Sequence, residues 1–172
     1  MITKVLYVFF IAMLPVIELR GAIPYGIAMG LSIYITYIAA VIGNILPVPF
    51  LIIFAKKILD WMSTSKLVSK FIIKFKIRNK LIRFSIQDFC IKIIKKADEK
   101  ALKIGKYELW GLFFFVAIPI PGTGAWTGSL IAATLRLRLF PSVITIFLGV
   151  LSSGVIMSVI SWLWTVVARI FI

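Results

Sequence analysis

Apolar positions in this chain fall in long uncharged runs separated by short charged stretches. Gly21–Ala55, Leu109–Leu135 and Leu139–Ala168 contain no Asp, Glu, Lys or Arg, and each exceeds the roughly 20 apolar residues that cross a bilayer as a helix. Val5–Ile17 is a shorter apolar arm. At about 1.5 Å of rise per residue it falls short of a hydrocarbon core about 30 Å thick. The order of events occurs twice. A short arm, a break rich in Pro and Gly, an arm with small residues four apart and a longer run appear in each half of the chain. The first break is placed at Pro24-Tyr25-Gly26, with Gly30 following. The second is Pro119-Ile120-Pro121-Gly122-Thr123-Gly124, with Gly128 following. Proline removes a backbone donor and clashes with the preceding turn, while glycine allows conformations other residues resist. Irregular backbone at membrane depth persists only where protein buries it or where it lines a water-filled cavity. The pattern therefore predicts two re-entrant helical hairpins, each followed by a transmembrane helix; a pair of kinked spanning helices is the competing arrangement.

Composition agrees with an integral membrane protein. Of 172 residues, 62% are hydrophobic and 15% charged, with a mean hydropathy of +1.09, whereas soluble domains are nearer 45–50% apolar and about 25% charged. The expected fold is all-α, a single membrane domain over 1–172. Residues 1–57 form the first hairpin and span, 58–106 a basic connector, and 107–172 the second hairpin and span. The net charge of +14 is concentrated between Lys56 and Lys106. In a soluble chain this would point to nucleic acid. Beside membrane runs it points to positive-inside topology and to anionic lipid headgroups as partners, with no nucleic acid. Lys66, Lys70, Lys74 and Arg78 recur at i, i+4 with Leu67, Phe71 and Phe75 between them, and Lys92 to Lys103 continue the theme. This predicts a basic amphipathic helical segment on the membrane surface, with a solvated loop as the alternative.

Charge counting also sets orientation. With the connector inside, Arg136 and Arg138 land inside too, and the two termini, carrying only Lys4 and Arg169, fall outside. The hairpins then enter from opposite faces, which makes the halves an inverted repeat. Met1–Lys4 followed by Val5–Ile17 has the charge and length of a secretory signal, but Glu18 and Arg20 follow at once and no A-x-A site appears. The segment is therefore expected to be retained.

The chemistry-bearing residues are few. The single Cys90 has no internal disulfide partner, there is no His, and metalloprotease, dinucleotide and phosphate-loop motifs are absent. No metal, cofactor or enzymatic activity is expected. Glu18 and Arg20 are the charges inside the membrane domain, where each would cost about 2.5–3.5 kcal/mol at a helix centre. At a non-helical turn they can pair with each other or with backbone of the second turn; otherwise the turn emerges into water and solvates them. An intramembrane carboxylate reads as a proton or cation site and an arginine as an anion site. Gly21 and Pro24 shape that first turn. Pro119, Pro121, Gly122, Thr123 and Gly124 form the second, where glycine N–H groups at the start of a half-helix would favour an anion. Trp126 reads as an apolar wedge or interfacial anchor. Asn44, between the turns in sequence, reads as a helix–helix hydrogen bond ahead of a substrate or ion contact.

With these residues in view, the sequence resembles the small multidrug export protein family of prokaryotic membrane proteins. The resemblance rests on Glu18-Leu-Arg20-Gly21-Ala-Ile-Pro24-Tyr-Gly26, on Gly43-Asn44-Ile-Leu-Pro47-Val-Pro49-Phe50, and on the segment from Leu112 through Pro119-Ile-Pro121-Gly122-Thr123-Gly124-Ala-Trp126-Thr-Gly128. That family is similar in turn to the DedA/SNARE-associated (VTT) superfamily, which implies opposed re-entrant hairpins and lipid translocation or proton-dependent transport. Glu18 matches the acidic residue of the superfamily's first hairpin. The arginine beside its second Pro-Gly motif has no counterpart in Phe115–Ala117 or Thr123–Ala125. The resemblance implies a multi-pass protein of a prokaryotic plasma membrane. The expected function is a secondary transporter or lipid translocase for a small-molecule, lipid or ion substrate, proton-coupled through Glu18. A non-transporting scaffold or helper subunit docking through the basic connector is the alternative, and a homo-oligomer stays open. The orientation is directly testable: on a Cys90→Ser background, a cysteine at position 2 should react with an impermeant reagent from outside intact cells. Reaction only from the cytoplasm would overturn the charge-derived topology.

Overall fold

The computed structural model describes residues 1–64, 72–77, 80–85 and 106–171. The first helix, α1 (Ile2–Met13), ends because Pro15 forces the residue before it out of helical backbone, and Leu14 is extended at φ −73°, ψ 136°. The turn Leu14–Ile17 leads into α2 (Glu18–Ala28). This helix runs back along α1: Gly26 packs against Val8, and Lys4 Nζ donates to the Met29 carbonyl at 2.6 Å. The expected break at Pro24-Tyr25-Gly26 is thus not the turn. Pro24 lies inside α2 on its exposed side, and the apolar arm taken to run through Ile17 is interrupted earlier, by Pro15.

The arm α2 closes with left-handed Gly30 (φ 79°), Leu31 N–H bonding the Gly26 carbonyl at 3.1 Å and Gly30 N–H that of Ile27 at 2.9 Å. This is the Schellman arrangement, which satisfies carbonyls that the helix leaves open. Ser32 then caps α3 (Ile33–Ile45), its Oγ accepting from Ile35 N–H at 3.4 Å. Pro47 and Pro49 have no N–H, and the helical run restarts as α4 (Val48–Thr64). Residues 33–62 together are long and apolar enough to cross a membrane.

The second half follows the same plan. Helix α5 (Lys106–Ala117) ends before Ile118 and Ile120, each of which precedes a proline. The turn carries left-handed Gly122 (φ 88°) and Gly124 (φ 138°), and α6 (Ala125–Thr134) packs back on α5 with Gly128 against Val116 and Leu112. This arm also ends in a Schellman arrangement. Arg136 (φ 52°) replaces glycine, Leu137 N–H bonds the Ala132 carbonyl at 2.9 Å and Arg136 N–H that of Ala133 at 3.1 Å. The long α7 (Leu139–Phe171) follows, and its stretch Leu139–Arg169 is again long and apolar enough to span.

Matching backbone events stand at one constant separation along the chain: Pro15 and Pro121, Glu18 and Gly124 (both at positive φ), Gly30 and Arg136, the first residues of α3 and α7, and Gly43 and Gly149. Thr36 and Ser142 obey the same spacing. Both are fully buried, and each hydroxyl bonds the carbonyl one turn earlier. In the first arms the separation is two residues shorter, because the second turn is longer: the carbonyl of Phe9 faces Gly43 as that of Phe113 faces Gly149.

The connector departs from expectation. Over Ile72–Ile77 and Lys80–Ser85 the chain forms antiparallel strands β1 and β2, with Ile73 opposite Phe84 and Phe75 opposite Ile82. Within β1, Lys74-Phe75-Lys76-Ile77 alternates basic and apolar residues with period two. That periodicity favours strand over the i, i+4 spacing of the lysines. The rest of the predicted amphipathic segment, 65–71, 78–79 and 86–105, lies outside the described residues.

The core gathers Val8, Ala12, Leu19 and Ile23 of the first hairpin, Val41, Val48 and Ile52 of α3–α4, and Leu112, Val116, Ala125, Ala132, Ile146 and Val150 of the second half. Outer faces are apolar as well: Ile38, Ile42, Phe50, Phe54, Leu148, Ile160 and Leu163 are all exposed, as expected of a surface that meets lipid. The open ends of the hairpins lie at opposite ends of α3–α4. One is closed by Lys4 on Met29, beside the start of α3. The other is closed at the far part of α4 by Lys56 Nζ on the Leu137 carbonyl (2.6 Å) and by the Asp60–Arg136 ion pair.

Gly43 is where α1 and α3 touch most closely, and a Cβ there would meet the Phe9 carbonyl and Ala12. Gly43→Ala should lower thermal stability by the equivalent of about 1–3 kcal/mol of overpacking. Gly111→Ala, on an exposed helical site with nothing near its Cβ, should be neutral or gain about 0.5–1 kcal/mol. Melting of the two purified variants in one detergent measures both.

Candidate functional site between the hairpin turns

The two turns meet in the interior. Glu18 opens α2 at φ 50°, a left-handed backbone unusual for a residue with a side chain. This conformation directs its carboxylate across to the second hairpin, where Oε1 accepts from Trp126 N–H at 3.2 Å. Glu18 is 5% exposed, so it is not solvated by a turn emerging into water. Its anion lies at the N-terminus of α6, where unpaired N–H groups and the positive end of the helix dipole favour negative charge. The space it occupies exists because residue 124 lacks a side chain: a Cβ on Gly124 would overlap the carboxylate. The sequence placed an anion site at the glycine N–H groups of the second turn; the anion found there is Glu18, and the donor is Trp126.

Arg20 reaches the other end of the same turn. Nη1 donates to the Ile120 carbonyl, and Nη2 donates to Thr123 Oγ1 at 2.8 Å and to the Ile118 carbonyl at 3.5 Å. Thr123 Oγ1 is itself 2.9 Å from both of those carbonyls and donates to one of them. The guanidinium therefore adds a charged donor to the carbonyls of the turn where Pro119 and Pro121 end α5, the negative end of that helix. The positive charge at the second turn is thus supplied from the first hairpin. Glu18 and Arg20, both in the first turn of α2, bond the second hairpin's backbone; no direct ion pair joins them among the described residues.

The second hairpin answers in kind. Trp126 Nε1 donates to the Met13 carbonyl at 3.1 Å, at the end of α1. Trp126 stands at the repeat spacing from Arg20, so each half sends one side-chain donor to the carbonyl end of the other half's first arm. Trp126 is thus a cross-hairpin tie, where sequence alone indicated a wedge or anchor. The spacing that pairs Pro15 with Pro121 was the signal that would have found it.

A cleft of about 610 Å³ opens between the turns, lined by Pro15, Val16, Ile17, Glu18, Arg20, Gly21, Pro119, Pro121, Gly122, Thr123, Thr127 and Met157. Of the sequence candidates, it gathers Glu18, Arg20, Gly21, Pro119, Pro121, Gly122 and Thr123; Gly124 adjoins it beneath the Glu18 carboxylate. Pro24 and Asn44 lie off it. Asn44 is fully buried in α3 and makes no helix–helix hydrogen bond among the described residues. Pro15 and Met157 belong to the cleft without having been singled out. A second groove of about 590 Å³, on the outer face between α5 and α7, is walled by Leu109, Trp110, Phe113, Leu148 and Leu151 and holds no charged group. Among the described residues no group of three or more His, Cys, Asp or Glu gathers to hold a metal ion.

The profile of the family described as small multi-drug export protein matches residues 18–156, which include every residue of the two turns from Glu18 onward. No curated protein and no solved structure matches the chain.

The two glycines of the second turn should separate on substitution. Gly122 is exposed with open space around it, so Gly122→Ala should cost only the strain of a left-handed residue, about 1–2 kcal/mol. Gly124→Ala adds displacement of a buried carboxylate and should lower thermal stability clearly further. Equal melting temperatures for the two variants would contradict the packing of Glu18 on Gly124.

Proposed function

The chain belongs to the small multi-drug export protein family, and on that premise we propose that it is a membrane transporter whose substrate passes the cleft between two opposed re-entrant hairpin turns. The observation that carries this is the buried Glu18 carboxylate held by backbone of the opposite hairpin, beside Arg20, in a cleft at the break of both hairpins. Paired broken helices in corresponding halves mark the binding site of many secondary transporters. The inverted-repeat reading is supported by the recurring Schellman ends, by the pairing of Pro15 with Pro121, and by hairpin bases at opposite ends of α3–α4. In the register the structure supports, Gly26 and Gly30 do not correspond to Gly124 and Gly128.

Orientation follows from charge. The end that carries Lys56, Lys57, Arg136 and Arg138 also leads into the basic connector, and it faces the cytoplasm and its anionic headgroups. The protein is a multi-pass component of a prokaryotic plasma membrane. The substrate is a small molecule, a lipid or an ion, and lipid translocation is one form of this activity. Glu18 couples transport to protons. Protonation removes the negative charge that the α6 N-terminus and Trp126 N–H hold, which loosens one tie between the hairpins while Arg20 and Trp126 keep the others.

The test is reconstitution in liposomes under a pH gradient, comparing wild type with Glu18→Gln for solute flux, proton flux and lipid flipping. Glutamine keeps an acceptor oxygen near Trp126 N–H, so the variant should melt near wild type while losing proton-coupled flux. Coupled flux at the wild-type rate in a folded Glu18→Gln protein would remove the proposed role. The charge between Lys56 and Lys106 favours a second reading, a scaffold or helper subunit docking on anionic lipid. That reading expects neither flux nor any effect of Glu18.

A further inference from the structure

Apart from the cleft, α3 carries a polar group that the transport reading does not use. Asn44 has no solvent exposure, and neither its Oδ1 nor its Nδ2 has a hydrogen-bond partner among the described residues. Buried carboxamides are nearly always paired, so one left open calls for a ligand. The backbone around it is open in the same way. The carbonyls of Gly43 and Ile45 would accept from the N–H groups four residues on, and those residues are Pro47 and Pro49, which have none. The last backbone bond of α3 is Leu46 N–H to the Ile42 carbonyl at 3.2 Å. Beyond it the helix ends with acceptors and the negative end of its dipole.

One face of this end of α3 is inside the protein, while Ile42 and Leu46 on the other are exposed. Gly43 packs on the Phe9 carbonyl and Ala12 of α1, one residue before Met13, the acceptor of the Trp126 indole. Val48, just past the break, is fully buried. An amide oxygen and donor-free carbonyls at a broken helix, near the level where two hairpins meet, make a set of neutral, hard oxygen ligands. Such a set suits a cation. With no carboxylate in it, a divalent ion, which ordinarily draws on Asp or Glu, is disfavoured. Unwound carbonyls and half-helix C-terminal ends coordinate sodium in discontinuous membrane helices.

We propose that the α3–α4 break binds a sodium ion through Asn44 Oδ1 and the carbonyls of Gly43 and Ile45. The site stands on the geometry of α3 and not on the transport reading, so either can fail alone. The experiment is thermal unfolding of the full chain in detergent, followed by tryptophan fluorescence, with NaCl, KCl or choline chloride at matched ionic strength. Wild type should show a saturable rise in Tm in NaCl that KCl and choline chloride do not reproduce. Asn44→Ala should lose that rise, and Asn44→Asp, which restores an oxygen at the same reach, should keep it. Should Asn44→Ala fail to fold, Pro47→Ala serves instead: it returns an N–H to the Gly43 carbonyl and should shift the sodium titration at least several-fold to higher concentration. A wild-type Tm indifferent to the cation, or an equal rise in NaCl and KCl, overturns the proposal. So does an Asn44→Leu protein more stable than wild type in every salt, since that is the behaviour of a dry, unliganded amide.

Discussion

A carboxylate withdrawn from water must be met by donors, and the donor to Glu18 lies on the opposite half of the chain. This one requirement organises the centre of the molecule. Residue 124 must be glycine-sized so that the carboxylate fits. Residue 18 must adopt left-handed backbone so that its side chain points across. The N-terminus of α6 must be aimed at the first hairpin. Strain of this kind, of order 1–3 kcal/mol, persists where surrounding structure holds it in place, and here the surrounding structure is the opposing turn.

The three ties between the turns share a logic. Each joins a group from one hairpin to the open end of a helix in the other: the anion Glu18 to the N–H end of α6, the cation Arg20 to the carbonyl end of α5, and the Trp126 indole to the carbonyl end of α1. Proline makes the two carbonyl ends, because it forces the residue before it out of helical backbone and so ends the helix. The break at Pro15 and the breaks at Pro119 and Pro121 thus create polar backbone in an apolar setting, and the opposing half satisfies it. The two hairpins therefore need each other. Neither turn would be satisfied if its partner moved away, which is why displacement of one turn against the other must be compensated by another ligand, by water or by protonation.

Departures from the constant spacing between the halves are as informative as its regularities. Where the first half has Pro47 and a helix that stops and restarts, the second has Ser153 and an uninterrupted α7, so Met157 lies along the cleft while α4 packs on α6. Where the first half has Glu18, the second has the glycine that receives it. A polar function in one half and a vacated position in the other is the asymmetry that places a single carboxylate at the junction of two like units.

The sequence by itself determined the membrane class, the two-part order of short arm, break and span, and the residues at which charge enters the apolar domain, because those follow from hydropathy, proline and glycine, which act locally. Within that frame it misplaced the first turn. Pro24-Tyr25-Gly26 looks like a break, but Pro24 is carried on an exposed face of α2, whereas Pro15 ends α1 through the extended backbone of Leu14. It also favoured a helix over 72–85, where alternating Ile, Phe and Lys form strands, since lysines four apart and residues of alternating polarity coexist in that stretch. Only the tertiary structure decided that Glu18 bonds Trp126 N–H and that Arg20 reaches the carbonyls of the second turn. These depend on residues roughly a hundred positions apart, and which donor meets which acceptor at such range is set by how the helices pack, a property that no local pattern encodes.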